Sequence, residues 1–91
     1  MSDESRKIRI TGRVQGVGFR AWTQGHAEKL GLKGWVRNEE YGSVLALISG
    51  PRDAVSQMET DFWQGPGSAD VRDVQSEIAA PPDRAGFEIR H

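Results

Sequence analysis

The stretch from Gly12 to Arg20 contains two further glycines, Gly16 and Gly18, shortly before an arginine. A strand pattern gives way to a helix pattern here, so several backbone N–H groups and the positive end of a helix dipole can point at one place. Glycines let the backbone form a concave surface and leave room for a ligand. The guanidinium group of Arg20 matches two oxygens of a phosphate group. These residues predict a site for a tetrahedral dianion.

Other interpretations of this loop remain open. Glycine-x-glycine is common in tight strand-to-helix turns, where the glycines serve backbone geometry alone. The loop is not a P-loop, because no Gly-Lys-Ser/Thr follows, and it lacks the third glycine of a dinucleotide fingerprint. Nucleotide binding is therefore disfavoured. Asn38, at the end of a predicted strand, is by itself more typical of a turn residue.

The elements that position this loop follow from the periodicity of the apolar residues. Residues 7–14 alternate between apolar and polar side chains, which predicts a half-buried strand. A helix is predicted after the loop from the residues Phe19, Trp22, His26, Ala27 and Leu30. Within it, Gly25 costs about 1 kcal/mol relative to alanine. Gly31 is expected just past the helix end.

The second half of the chain repeats this order. Strands are predicted over 33–38 and 43–49, joined by a hairpin loop in which Gly42 takes a positive φ. A second helix begins at Gly50-Pro51, and strands follow over 71–78 and 87–89. The continuous apolar run from Val44 to Ile48 suggests a strand covered on more than one side. The predicted fold is α+β: a ferredoxin-like β-α-β-β-α-β sandwich, with an antiparallel four- to five-stranded sheet and two helices on one face.

Composition narrows the class of protein. Ninety-one residues predict one domain over 1–91, with residues 1–6 expected to be flexible. A net charge of −1 gives no sign of nucleic-acid binding, and no apolar run is long enough for a membrane span. The chain has no cysteine and only two histidines, so we expect a cytoplasmic location, no thiol chemistry and no metal site. We also expect a monomer.

Two long motifs resemble those of the acylphosphatase family. The first runs from Ile10 to Arg20 and the second from Gly34 to Asn38, followed by Gly42-Ser43-Val44 and Gly50 at family-like spacing. Later matches at Gly65-Pro66, Val71 and Phe87-Glu88-Ile89 extend the resemblance over almost the whole chain. Tyr41 and Leu45 depart from residues common in the family, which puts the loop shape and the substrate preference in doubt.

The resemblance implies the roles of the site residues. Arg20 and Asn38 would be catalytic, with Asn38 orienting the attacking water. The phosphoryl group would be bound by the loop residues Gln15, Gly16, Val17, Gly18, Phe19 and Arg20. The substrates would be small acyl phosphates such as acetyl phosphate and carbamoyl phosphate. No metal, nucleotide, other cofactor or covalent phosphoenzyme would take part.

The chemistry of an acyl phosphate is consistent with so small a set of groups. Its leaving group is a carboxylate with a pKa of about 4, so no general acid is needed to protonate it. Phosphoryl transfer of this kind has a loose transition state, which is stabilised mainly by positioning and by positive charge.

The remaining aromatic, histidine and arginine residues are expected to have ordinary structural roles. Trp22, Trp35 and Phe62 are expected in or at the rim of the core, and Trp63 on the exposed side of its helix. His26 is expected to be packed rather than catalytic, and His91 to be disordered. Arg13 and Arg37 either add positive field near the site or are merely solvated, whereas Arg9 is assigned no function.

Three alternative functions are weaker. An RNA-recognition module would need aromatic residues on the open face of the central strands, and 43–49 has none. An acylphosphatase-like domain of a hydrogenase-maturation protein would be the N-terminal piece of a much longer chain. A degenerate enzyme that only binds anions is disfavoured by the intact Arg20 and Asn38.

Overall fold

The computed structural model describes residues 3–91. Its elements, in chain order, are β1 (Asp3–Arg13), α1 (Phe19–Lys29), β2 (Lys33–Asn38), a short 3₁₀ helix (Glu40–Gly42), β3 (Val44–Pro51), α2 (Arg52–Phe62), β4 (Asp70–Ile78) and β5 (Phe87–Arg90). Both predicted helices and all predicted strands are present. Among residues 3–91, neither helix is long and apolar enough to cross a membrane.

The five strands form one sheet in the order β4-β1-β3-β2-β5. The pairs β1–β3, β1–β4 and β2–β3 are antiparallel. The fifth strand runs parallel to β2, with Gly34 opposite Phe87, so the sheet is mixed. The predicted ferredoxin-like fold is confirmed, and the short closing strand is the fifth strand of its sheet. The prediction of a wholly antiparallel sheet was wrong for this strand, because β5 pairs with β2 in parallel. Because β1 and β2 are both antiparallel to β3, they run in the same direction and finish at the same end of the sheet. The loop after β1 and the last residue of β2 therefore lie at that end.

The first strand begins earlier than the periodicity indicated. Residues 3–6, expected to be flexible, pair with β3 from Asp3 opposite Pro51 to Arg6 opposite Ile48. Residues 1 and 2 lie outside the described residues. The apolar alternation starts only at Ile8, because the earlier side chains make polar contacts instead, such as Ser5 Oγ with Ser49 Oγ at 2.7 Å.

The core lies between the two helices and one face of the sheet. From the sheet it includes Ile8, Ile10, Val36, Val44, Ala46 and Ile48, and from the helices Phe19, Ala27, Val55, Met58 and Phe62. Leu45 and Leu47 point to the other face, yet they are only 5% and 6% exposed. This confirms that the apolar run of β3 is covered on both sides.

The aromatic residues do not all lie where the sequence placed them. Trp22 packs against Phe19 and Phe62, and His26 stacks on Trp22 with ring centroids 4.9 Å apart. Trp63 is 52% exposed, as predicted. Trp35 does not join the core, because strand side chains alternate and its neighbour Val36 takes the buried face.

On the face of the sheet away from the helices, the Trp35 ring lies under two guanidinium groups. Arg90 is 4.8 Å and Arg37 is 5.7 Å from its centroid. The cations therefore cover part of the ring that a stacking platform would leave free.

The β2–β3 hairpin contains the predicted positive φ at Gly42, with φ +98°. The preceding residue, Tyr41, also has a positive φ of 69° and its side chain is fully exposed. Tyr41 is the only non-glycine residue among residues 3–91 with this conformation. A non-glycine residue in the left-handed region indicates a hairpin shape imposed by its surroundings.

Candidate active site

The loop between β1 and α1 leaves the first amides of the helix without intrahelical partners. Gly16 and Gly18 adopt positive φ angles of 74° and 77°, and Gly18 caps the helix without any side-chain hydrogen bond from the described residues. The helical ladder begins where Trp22 N donates to Gly18 O at 3.0 Å. The N–H groups of Phe19, Arg20 and Ala21 precede it, so they are free to donate to an anion.

Arg20 stands in the first turn of α1, where a cation opposes the helix dipole. The first turn has no acidic residue. The Nη1 group of Arg20 donates to the carbonyl oxygen of Arg90 at 3.1 Å and lies 3.2 Å from Nδ1 of His91. These contacts hold the guanidinium group against the end of β5. Arg20 places its positive charge beside the positive end of the helix dipole, which is unfavourable by itself. An anion bound between the Arg20 guanidinium group and the helix amides would explain this position.

One cavity of about 350 Å³ brings the two predicted catalytic residues together. It is lined by Val14, Gly16, Gly18, Phe19, Arg20, Ala21, Asn38, Ile89 and His91. Arg20 and Asn38 come from different elements and share this cavity because β2 is paired on one side with β5, whose end contacts Arg20.

Asn38 is the last residue of β2, opposite Val44 of β3. Its Oδ1 atom is buried and finds no hydrogen-bond partner among residues 3–91. Buried polar atoms in native proteins are almost always hydrogen-bonded, so an acceptor without a partner beside a cavity indicates a ligand or water site. The Asn38 carboxamide is therefore available to a molecule in this cavity.

Two predicted binding residues direct their side chains elsewhere. Gln15 Nε2 donates to the backbone oxygens of Glu39 and Ser43, both at 2.8 Å, and Val17 packs against the core. Neither residue lines the cavity. Any part they take in binding must come from their backbone.

Glu39, directly after Asn38, carries the strongest electrostatic perturbation near the site. The hydrogen bonds and charge of Arg9, together with a hydrogen bond from Ser43, lower the pKa of the Glu39 carboxyl from 4.5 to about 2. Arg9 donates through Nε at 2.8 Å and Nη2 at 3.0 Å, and Ser43 Oγ donates at 2.8 Å. Arg9 was expected to have no function. It lies thirty positions before Glu39 in the chain, and the strand register brings the two residues together.

Of the other residues singled out in the sequence, one lines the cavity and four do not. His91, expected to be disordered, lines it and contacts Arg20, because the pairing of β5 with β2 carries the chain end there. Arg13, Arg37, Tyr41 and Leu45 do not line it. A larger cavity of about 570 Å³ beside Trp35 contains neither Arg20 nor Asn38. Within residues 3–91, no cluster of three or more His, Cys, Asp or Glu could hold a metal ion.

The fold and this site define a class of small ferredoxin-like domains. In this class, the loop between the first strand and the first helix lines a cavity together with an arginine of that helix and an asparagine of the next strand. A family model described as Acylphosphatase matches residues 6–89. An acylphosphatase from Sinorhizobium medicae is 61% identical over 83 residues, which cover 90% of this chain and 88% of the relative. The chain belongs to the acylphosphatase family of hydrolases.

Solved structures agree with this assignment. The structure of an acylphosphatase from Coxiella burnetii is similar with a TM-score of 0.93 at 34% identity, covering 97% of this chain and 93% of that one. Full-length HypF, solved in a phosphate- and nucleotide-bound form, is similar with a TM-score of 0.90 at 26% identity. The match covers 99% of this chain but 12% of that chain, so it corresponds to a small part of HypF.

Proposed function

We propose that this chain is a metal-independent acylphosphatase that cleaves the carboxyl–phosphate bond with a water molecule oriented by Asn38. Arg20 and the amides of residues 15–20 hold the phosphoryl group. The observation that carries the proposal is the shared cavity, in which Arg20 lies with the unpartnered Oδ1 atom of Asn38. Membership of the acylphosphatase family supports it independently.

The positive end of the site binds and stabilises the phosphoryl oxygens. Arg20 supplies a full charge, and the amides after Gly18 supply fixed dipoles that need no reorganisation during the reaction. The transition state spreads charge over the phosphoryl oxygens, so donors fixed in advance lower the barrier. Removing one such donor typically lowers the rate about 10²–10³-fold.

The asparagine end of the site positions the nucleophile. Asn38 Oδ1 accepts a hydrogen bond from a water molecule, which directs a lone pair of that water at phosphorus. A new P–O bond forms as the bridging P–O bond breaks, and the carboxylate leaves with the bonding electrons. The proton of the water passes to a phosphoryl oxygen, giving inorganic phosphate without a separate base. Orientation of this kind reduces the entropy that the reaction must lose.

The partner of this site is a free small-molecule acyl phosphate, and the proposal needs neither a cofactor nor a nucleic acid. We place the activity in the cytoplasm and assign it to a monomer. The lack of cysteine supports a reducing compartment.

The test is hydrolysis of benzoyl phosphate, followed by the loss of ultraviolet absorbance with EDTA present. The wild type should hydrolyse it, whereas Arg20→Ala and Asn38→Ala should each lose about 10²-fold or more in kcat. Arg13→Ala is the matched control, because this exposed arginine does not line the cavity. A folded wild type without activity, or full activity in either site variant, would contradict the proposed function.

A further inference from the structure

Glu39 is fixed by three hydrogen bonds at the point where the chain leaves Asn38. Its carboxylate accepts two from Arg9 on β1 and one from the Ser43 hydroxyl across the hairpin. Its side chain is only 17% exposed. A two-pronged guanidinium–carboxylate contact fixes direction as well as distance, so the Glu39 side chain has one orientation.

The backbone of the same residue is fixed from the other side. Glu39 N donates to Ser43 O at 2.8 Å, and this backbone hydrogen bond joins the two ends of the hairpin loop. Gln15 Nε2 then donates to the carbonyl oxygens of both Glu39 and Ser43. Because Gln15 lies in the loop that leads from β1 to Arg20, this contact connects that loop to the hairpin that follows Asn38.

Folding stability alone does not explain why these side chains are ordered together. Arg9 is 46% exposed, and an ion pair at such a position contributes at most about 1 kcal/mol to the free energy of unfolding. Positioning is a better explanation, since Asn38 is joined to Glu39 by one peptide bond. A shift of about 1 Å in a positioned reactant can cost about 10²-fold in rate.

We propose that Glu39, held by Arg9, is a positioning residue that fixes the carboxamide of Asn38 toward the attacking water. The inference rests on the proposed function. The Glu39 side chain does not line the cavity and instead accepts hydrogen bonds from Arg9 and Ser43. Its effect passes through the backbone of Asn38, so it should alter turnover and leave phosphate binding by Arg20 unchanged.

The test compares Glu39→Gln and Arg9→Met with Glu40→Gln. Glu40 is the matched control, because it is an exposed carboxylate in the same hairpin that makes no side-chain hydrogen bond with the described residues. Both site variants should lower kcat for benzoyl phosphate about tenfold, while KM and competitive inhibition by inorganic phosphate stay within twofold of wild type. The kcat of the double variant should be no lower than that of either single variant, because both substitutions remove the same Arg9–Glu39 contact. Glu40→Gln should match the wild type.

A second readout does not depend on turnover. The side-chain amide signals of Asn38 in ¹H–¹⁵N spectra should shift in Glu39→Gln and Arg9→Met but not in Glu40→Gln. Unchanged kcat in folded Glu39→Gln, or equal losses in kcat and phosphate affinity, would overturn the positioning role. If the wild type itself does not hydrolyse benzoyl phosphate, the proposed function fails instead, and the Asn38 signals still decide whether Glu39 orients that side chain.

Discussion

Gly18 and Gly25 lie seven positions apart in one helical segment, and alanine should have opposite effects at the two sites. Gly18 caps α1 with φ +77°, whereas Gly25 lies inside α1 and has no positive φ. An added Cβ would meet nothing within 4 Å at either position. Steric clash is therefore equal in the two variants, and only backbone conformation separates them.

The expected sizes follow from that conformation. Alanine in the left-handed region costs about 1 kcal/mol, so Gly18→Ala should lower the free energy of unfolding by that amount. Alanine inside a helix gains about 1 kcal/mol over glycine, so Gly25→Ala should raise it. For a domain of this size, 1 kcal/mol shifts Tm by about 4–8 °C, so the two variants should differ by about 8–16 °C.

Thermal unfolding followed by circular dichroism measures the stability difference, and titration with inorganic phosphate measures the function of the loop. Gly18→Ala should bind phosphate about tenfold or more weakly, because relaxing the strain turns the amides of Phe19 and Arg20 away from the anion. Gly25→Ala should bind as the wild type does. Equal stabilisation by both alanines, or unchanged phosphate affinity in Gly18→Ala, would refute the role given to the loop conformation.

Two further predictions concern stability. Phe62 is fully buried and stacks on Phe19 with ring centroids 6.1 Å apart. In urea unfolding, Phe62→Ala should therefore lower the free energy of unfolding by about 3–5 kcal/mol, whereas Trp63→Ala should lower it by less than about 1 kcal/mol. Equal losses in the two variants would contradict the assigned core. Because Arg9 and Ser43 lower the folded-state pKa of Glu39 to about 2, its ionised form should stabilise the fold above pH 4.5, by about 1 kcal/mol after solvent screening. The stability difference between the wild type and Glu39→Gln should therefore shrink as the pH falls from 4.5 toward 2, and a difference that grows with acidity would show that the sign is wrong.

The order of elements could be predicted because the apolar periods were clear and the turns were marked by glycine and proline. The helix end before Gly31, the positive φ of Gly42 and the two-sided burial of Val44 to Ile48 all follow from local rules. Trp35 was expected in or at the rim of the core, but its alternation with Val36 places it on the opposite face of the sheet. The early start of β1 was missed because its first side chains form polar contacts rather than an alternating apolar pattern.

For the site, the sequence predicts an anion-binding loop over Gly16–Arg20 and, through the resemblance, a role for Asn38 beside it. The structure shows that Arg20 and Asn38 line one cavity. It could not place Arg9 beside Glu39 or His91 beside Arg20, because those contacts depend on strand register over long separations. It also could not show that the Gln15 side chain binds the hairpin rather than the cavity, since an amide suits either role.

The separation of binding from turnover tests the central claim most directly. Inorganic phosphate affinity and kcat for benzoyl phosphate should be measured together on the wild type, Arg20→Ala and Asn38→Ala. We predict that Asn38→Ala binds phosphate within twofold of the wild type while losing about 10²-fold or more in kcat, and that Arg20→Ala loses both. Equal losses of phosphate affinity in the two variants would contradict the separate roles of the arginine and the asparagine.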